Sequence, residues 1–280
     1  HKPPVTPNGV LRIRGVKTRR RQHVDMVNIG TWNVRSLYQT GKPDNVIAEA
    51  KRLKIDVLGL SEVRWCGRDR IRKDEYKLIY SGGDRHEYGV GVLIRKNLSG
   101  MVTEVLPLSD RVIAICLNAK PKPITVIQVY APTSESEDEE IERVYEDIEK
   151  AIKKIGKSNL VFVIGDFNAK VGRNTSGSSV VGPFGLGLQN EQSAHLVEFS
   201  DKNNMVICNT WFQHHVRKQY TWRSPGDQTR NQIDYIMVNA RYRNTIVNCR
   251  ALTSADCNSD HQLLAARCRL RLKNYKYPKK

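Results

Sequence analysis

Two packed β-sheets with helices on their outer faces are the fold class predicted by this 280-residue sequence, and three observations carry it. Segments of strand character follow one another in runs broken by only a few helical patterns, so the strict βαβ alternation of a single parallel sheet is missing. Several of these segments, "LVFVIG" (160–165) among them, are apolar at nearly every position, as in strands covered on both faces. No linker divides residues 25–272, which therefore read as one domain.

The elements follow in order. Residues 1–24 carry Pro3, Pro4, Pro7 and Gly9 ahead of "KTRRRQH" and predict a basic disordered tail: a nuclear address, a phosphate-binding arm or a solubilising segment. "VNIGTWNV" (27–34) predicts a strand, "DNVIAEAKRLK" (44–54) an amphipathic helix, and "IDVLGLSEVRW" (55–65) a second buried strand. "YKLIYSG", "GVGVLIRK", "VTEVLPL", "VIAICLNA" and "ITVIQVYAP" then read as successive strands between 76 and 132. Residues 134–156 predict a helix with acids at its start, lysines at its end and a closing Gly156, as the helix dipole favours. After "NLVFVIGDFNAKVG" (159–172) comes a Gly/Ser/Asn-rich loop over about 170–190. A short helix over 193–204 follows, then strands "MVICNTWF", "QIDYIMVN" and "HQLLAARCRLRL". Residues 273–280 form a basic tail or linker.

Composition narrows the class. Hydrophobic residues make up 39%, enough for a sizeable core, and no apolar run approaches the ~20 residues of a membrane span. The first residues hold no apolar signal-peptide segment, and the chain opens on His1 rather than Met, as a piece of a longer polypeptide would. Six scattered cysteines without a CxxC pair predict reduced, buried thiols and an intracellular setting, nuclear where "KTRRRQH" serves as an address; the sequons at Asn97 and Asn174 then read as chance. The net charge is +17. Residues 1–24 and 267–280 each hold seven Lys/Arg and no acid, whereas Glu135–Glu149 holds nine acids and one Arg. The acidic segment belongs away from any polyanion, and the remaining basic surface suits a nucleic acid.

Six places share a pattern: a buried strand that ends on a polar group. Asp166 and Asn168 follow the run 160–164, Asn33 sits in "IGTWNV", and Glu62 ends "VLGLSE". Tyr130 precedes "AP", Asp234 is embedded in "QIDYIM", and Asp260 and His261 precede the last strand. Each alone reads as a turn or a satisfied structural group. Buried carboxylates are nonetheless rare unless paired or bound to a metal, so together they predict one convergent site. Carboxylates and carboxamides without His/Cys ligand pairs suit a hard cation such as Mg²⁺, with Mn²⁺ as a substitute. A histidine beside a carboxylate holds a proton for a developing oxyanion. The set fits metal-assisted hydrolysis of a phosphate ester.

The ordered motifs "TWNV", "LSEVRW", "VYAPT", "GDFNAKVG", "YTWRSPG…QIDYI" and "SDH" resemble the endonuclease/exonuclease/phosphatase superfamily across nearly the whole core. "IGTWNVRSLYQTGK" and "NSDHQLL" are most similar to endonucleases of RTE/Bov-B-type non-LTR retrotransposons and to a cellular protein derived from them. The resemblance implies a four-layer αββα sandwich of two mixed sheets and Mg²⁺-dependent nicking of DNA that leaves a 3′-hydroxyl. It implies Glu62 as metal ligand with Asp260 as second ligand or support, and Asp166 as the group that orients and deprotonates water. Asn168 and His261 would hold phosphate oxygens, with Asp234 fixing the His tautomer and Tyr130 and Asn33 positioning phosphate and metal shell. Trp222 and Arg35 would meet substrate. Arg35 is a departure: abasic-site endonucleases of this superfamily typically carry an acid there, which weakens a second metal site and abasic specificity. No reverse-transcriptase motif occurs in the 280 residues, so such a partner domain would lie elsewhere in a polyprotein, unless the chain is a stand-alone descendant. The rivals are a phosphomonoesterase of the same superfamily and a nucleic-acid-binding protein without activity.

Overall fold

In the computed structural model, residues 25–119, 122–156, 158–174 and 177–270 are described; the tails predicted at 1–24 and 273–280 lie outside them. The chain forms β1 (Asp25–Asn33), α1 (Lys42–Arg52), β2 (Val57–Ser61), β3 (Arg68–Lys73), β4 (Tyr76–Ser81) and β5 (Val90–Arg95). Next come α2 (Lys96–Ser99), β6 (Val102–Pro107), β7 (Val112–Leu117), β8 (Ile124–Tyr130), α3 (Asp138–Ile155) and β9 (Leu160–Asp166). The last part holds α4 (Glu191–Lys202), β10 (Met205–Ile207), β11 (Trp222–Arg223), β12 (Arg230–Asn231), β13 (Asp234–Asn239), β14 (Ile246–Leu252) and β15 (Leu263–Leu270). One sheet runs β14-β15-β1-β2-β5-β4-β3 and the second β10-β13-β9-β8-β7-β6; β11 and β12 make a small hairpin. Both large sheets are mixed, with β1–β2 and β8–β9 parallel and the other pairs antiparallel.

Burial explains why the strands read as unbroken apolar runs. Along β9, Phe162 and Ile164 enter the layer between the sheets, where Ile29, Val92, Ile113 and Leu264 meet them. Val161 and Val163 face the other way, toward Ile148 of α3 and Leu196 and Phe199 of α4. A third layer packs Trp32, Leu58, Leu60 and Leu93 against Val46, Ile47 and Ala50 of α1. Three apolar layers make the four-layer sandwich expected from the sequence. On α3, Ile141, Val144, Ile148 and Ala151 form the buried stripe at helical spacing, and Gly156 ends the helix at φ 79°.

A polar bridge crosses the inter-sheet layer. Gln128 on β8 donates to Ser61 Oγ (2.8 Å) and accepts from Thr31 Oγ1 (3.1 Å), and Ser61 Oγ donates to the Val129 carbonyl (3.1 Å). Gly59 makes room for it, because a Cβ there would overlap Gln128 Oε1. The bridge lies one layer behind the strand ends that carry the polar residues and fixes the sheets relative to each other.

Three expectations need correction. β3 reads "RDRIRK" and lies exposed along its length at a sheet edge, so neither apolar periodicity nor burial announced it. β14 ("IVNCRAL") was not among the expected strands, yet it pairs with β15 at the opposite edge. "MVICNTWF" is a strand only to Ile207, and Cys208–Thr210 form a 3₁₀ turn. There the Asn209 side chain takes over the ladder: it donates to Asp234 O (3.2 Å) and accepts from Ile236 N (3.4 Å).

Candidate active site

Strand register brings the polar residues together before any side chain is considered. Tyr130 and Asp234 flank Asp166 as direct neighbours across β8, β9 and β13. In the other sheet Asn33 ends β1 opposite Ser61, the residue before Glu62. His261 lies just ahead of β15, which pairs with β1. All these ends open on one side of the sandwich, around a cleft of about 480 Å³ lined by Arg35, Glu62, Tyr130, Asp166, Asn168 and His261 and also by Trp222 and Asp260. Asn33 and Asp234 stand behind it, almost wholly buried. All ten site residues named from the sequence thus occupy one place.

Their hydrogen bonds interlock. Asn33 Nδ2 donates to Glu62 Oε1 and to Asp166 Oδ2, each at 2.9 Å, while its Oδ1 accepts from Arg35 N (3.0 Å). Tyr130 OH donates to Glu62 Oε1 (3.2 Å). Asp166 Oδ1 accepts from Asn168 N (3.1 Å), and Asn168 Nδ2 spends one hydrogen on the Ala131 carbonyl (2.9 Å), leaving its second for the cleft. His261 Nδ1 pairs with Asp234 Oδ2 at 3.0 Å, which leaves Nε2 facing Asp166 Oδ2 at 3.7 Å. The backbone at Arg35 (φ 48°), Glu62 (φ 53°), Arg64 (φ 57°) and Asn168 (φ 49°) is left-handed. Four such non-glycine residues around one cleft are a concentration of strain of the kind found at functional sites.

These contacts set the charges. Burial would raise the Glu62 carboxyl, but hydrogen bonds from Asn33 and Arg64, with the Arg64 charge, outweigh it and hold the group below the usual range. Burial and then Asp234 push Asp166 up to about 7 against the opposing pull of His261 and its hydrogen bonds. Burial alone would lower the His261 imidazole; Asp234 and Asp166 overcome it and raise it to about 9. Burial first, then Glu62 and Asp166, raise the Tyr130 phenol, so it remains a neutral donor.

Several contributors went unassigned in the sequence. Arg64 folds back to bond Glu62 Oε2 at 2.6 Å. Thr221 Oγ1 accepts from Ile233 N and Asp234 N and seats the Asp234 backbone. Ser259 Oγ donates to Asn33 O (2.7 Å) and accepts from His261 N (3.1 Å), tying the histidine loop to β1. Lys170 and Asn190 line the cleft. The only signal for Ser259 was its place two residues before His261. Trp222 and Arg35 differ from expectation in that both engage Asp260: Trp222 Nε1 donates to Oδ2 at 3.1 Å, and Arg35 Nη1 lies 3.4 Å from it.

Two groupings offer a cation oxygen atoms. Asp166, Asp234 and His261 place one ligand atom each within 4.8 Å of one another, buried, and could hold a metal. Asp234 Oδ1 in this group is buried without a hydrogen-bond partner among the described residues, whereas Asp166 Oδ2 is bonded by Asn33, Asp234 Oδ2 by His261, and one ligand atom is a nitrogen. Glu62 is an ionised carboxylate at the cleft wall, and Asp260 Oδ1 is buried without a hydrogen-bond partner among the described residues. Each grouping thus holds one orphaned carboxylate oxygen, and the all-oxygen pair fits a hard divalent ion better than the set with a nitrogen ligand.

Craniofacial development protein 2 of Bos taurus is 42% identical over 246 residues, which are 88% of this chain and 41% of that protein; its Tragulus javanicus counterpart is 41% identical over the same share of this chain and 42% of its own. The chain thus spans about two fifths of the length of these relatives. Among solved structures, the Xenopus laevis APE2 catalytic domain superposes with a TM-score of 0.66 at 14% identity, covering 90% of this chain and 94% of that one. The endonuclease domain of TRAS1, a telomere-specific non-LTR retrotransposon, gives 0.62 at 12%, covering 88% and 100%. The Neisseria 3′ phosphatase NExo, bound to product DNA hairpin, gives 0.65 at 18%, covering 86% and 99%. The sequence pattern described as the Endonuclease/Exonuclease/phosphatase family matches residues 30–261, and with that match over most of its length, on this sandwich, the chain belongs to that family of hydrolytic nucleases and phosphatases.

Proposed function

We propose that this chain is a divalent-metal-dependent DNA endonuclease that nicks one strand by in-line attack of water and leaves a 3′-hydroxyl. The observation that carries the reading is the double hydrogen bond of Asn33, which holds Glu62 and Asp166 side by side within reach of the Asp234-held His261. Mg²⁺, held through Glu62 with Asp260 as a second oxygen donor, would supply charge stabilisation at a phosphoryl oxygen. Asp166 is the base: its raised pKa places it near neutrality, where a general base works best. The His261 imidazolium points Nε2–H into the cleft and donates to a phosphate oxygen, and Asp234 fixes which nitrogen does so. Tyr130 OH and the second Asn168 amide hydrogen are further neutral donors to the phosphate, and Arg35, Arg64 and Lys170 stand in the cleft lining beside the carboxylates, Arg35 paired with Asp260 and Arg64 with Glu62. The excess of basic residues supports DNA over a phosphomonoester.

Supercoiled-plasmid nicking with Mg²⁺ or with EDTA tests the reading, beside a panel of inositol phosphates and nucleotides. Nicking is expected with Mg²⁺ alone. Glu62→Gln keeps the side-chain shape and removes the charge, so activity should fall by orders of magnitude while circular dichroism stays unchanged. Near-normal nicking by folded Glu62→Gln protein overturns the metal assignment, and turnover confined to the phosphomonoesters overturns the endonuclease reading.

A further inference from the structure

The exposed edge strand β3 lies outside the cleft, and no step proposed above uses it. It starts at Arg68, six residues after Glu62, at the cleft end of its sheet, and runs along the outer edge away from the cleft. All six residues are exposed. In the antiparallel pairing with β4, Arg68, Arg70 and Arg72 face Ser81, Ile79 and Lys77, so three arginines and a lysine share one face. Among the described residues none of these four cations has an acid within ion-pair distance; Lys73, on the opposite face, is the one that pairs, with Asp44. Arg72 and Lys77 sit directly opposite, an arrangement that like charges make unfavourable. Burial, and then Arg70 and Arg72, push the Lys77 ammonium down, as expected where cations crowd without a counter-charge.

Spacing and placement identify the missing anion. Two residues of antiparallel strand advance about 6.8 Å. Every second charge along one strand of duplex DNA likewise advances about 6.8 Å along the axis, at about 3.4 Å per charge. The acidic stretch on α3 is far from this edge, packed over the outer face of the other sheet against β7 and β8. We infer that β3 is a backbone-tracking strand: Arg68, Arg70 and Arg72, with Lys77, grip phosphates of duplex DNA flanking the segment in the cleft. The inference rests on the proposed DNA substrate. Its rival is edge protection, in which charges on an edge strand serve only to prevent pairing with another chain.

Binding of the full chain to a 30-base-pair duplex, measured in EDTA across a salt series, separates the two. Each phosphate contact contributes about 0.9 to the slope of log K against log salt, so the Arg68→Gln/Arg70→Gln/Arg72→Gln variant should lose about 2.7 from it. The variant with lysine at the same three positions keeps the charge and should keep the slope, which separates lost contacts from a damaged fold. Replacing Lys150, Lys153 and Lys154 of α3 by Gln removes equal charge elsewhere and should leave the slope nearly unchanged. An unchanged slope in the β3 variant together with new self-association establishes edge protection and overturns the inference, although the endonuclease reading survives if plasmid nicking persists. Equal slope losses from the β3 and α3 variants also overturn it, since only net charge would then matter. A parent that neither binds duplex nor nicks plasmid overturns the endonuclease reading and this inference with it.

Discussion

Asn33 is one buried carboxamide with three jobs. Its two amide hydrogens join carboxylates from different sheets, and its oxygen takes the Arg35 amide. Without those donors Glu62 and Asp166 would repel across a buried gap and share a proton. The same cluster fixes the pH dependence. Water activation needs the deprotonated Asp166, so single-turnover nicking should rise as pH passes through about 7. Donation to phosphate needs the protonated His261, so activity should fall above about 9. The two limbs belong to the coupled group rather than to either residue alone. Asp234→Asn removes the leading influence that raises the imidazole, and the alkaline limb should move to lower pH. A single-turnover profile from pH 5.5 to 10 on both proteins checks this; an alkaline limb that stays in place would count against His261 as the donor.

At the scale of elements, the site depends on the seam between the sheets. The sheet that carries β1 and β2 supplies Asn33 and the approach to Glu62; the other sheet supplies Tyr130, Asp166 and Asp234. Gln128, Ser61 and Thr31 lock that seam one layer below, in the space left by Gly59. Gly59→Ala should therefore cost about 1–3 kcal/mol, the range for overpacking a tight core. Urea denaturation should show a lower midpoint with an unchanged slope. In a Gln128→Ala background the same change should cost clearly less, although Ile164 Cδ1 still crowds the new methyl. Equal costs in both backgrounds would show that Gln128 is not what Gly59 accommodates.

On the scale of the whole molecule, charge is sorted by face and by position in the chain. The acidic stretch starts α3, where Arg111 bonds Glu140 at 2.6 Å, over the outer face of one sheet. Basic residues dominate the β3 edge, and the cleft brings Arg35, Arg64 and Lys170 together with Glu62, Asp166 and Asp260. Fourteen further Lys/Arg lie in residues 1–24 and 267–280. If these segments also grip DNA backbone, deleting 1–24 and 273–280 should weaken duplex binding and flatten its salt slope, while nicking at saturating DNA persists. A truncated chain with the same affinity and slope would assign those lysines and arginines a role other than clamping DNA.

How much was readable in advance differs between kinds of feature. By itself the sequence determined the two-sheet layering and pointed to ten residues that the fold gathers at one cleft, but not to Arg64, Thr221, Ser259, Lys170 or Asn190. A strand buried on both faces must be apolar along its length, so a carboxylate such as Asp166 or Asp234 at its end stands out against that background. The ordered motifs did the same for Glu62, Asp260 and His261. Exposed elements had no such signature: β3 is held by its pairing with β4 rather than by burial, and its "RDRIRK" reads as loop. Only the tertiary structure decided the pairings. That Arg64 returns to Glu62, that Arg35 and Trp222 both reach Asp260, and that Ser259 ties the histidine loop to β1 are contacts between separate strand ends. Their partners are set by sheet register and by left-handed turns at Arg35, Glu62 and Arg64. Residue type and spacing state which groups a site contains. Distance and direction, which decide which carboxylate keeps its charge and which holds a proton, exist only once the two sheets have packed.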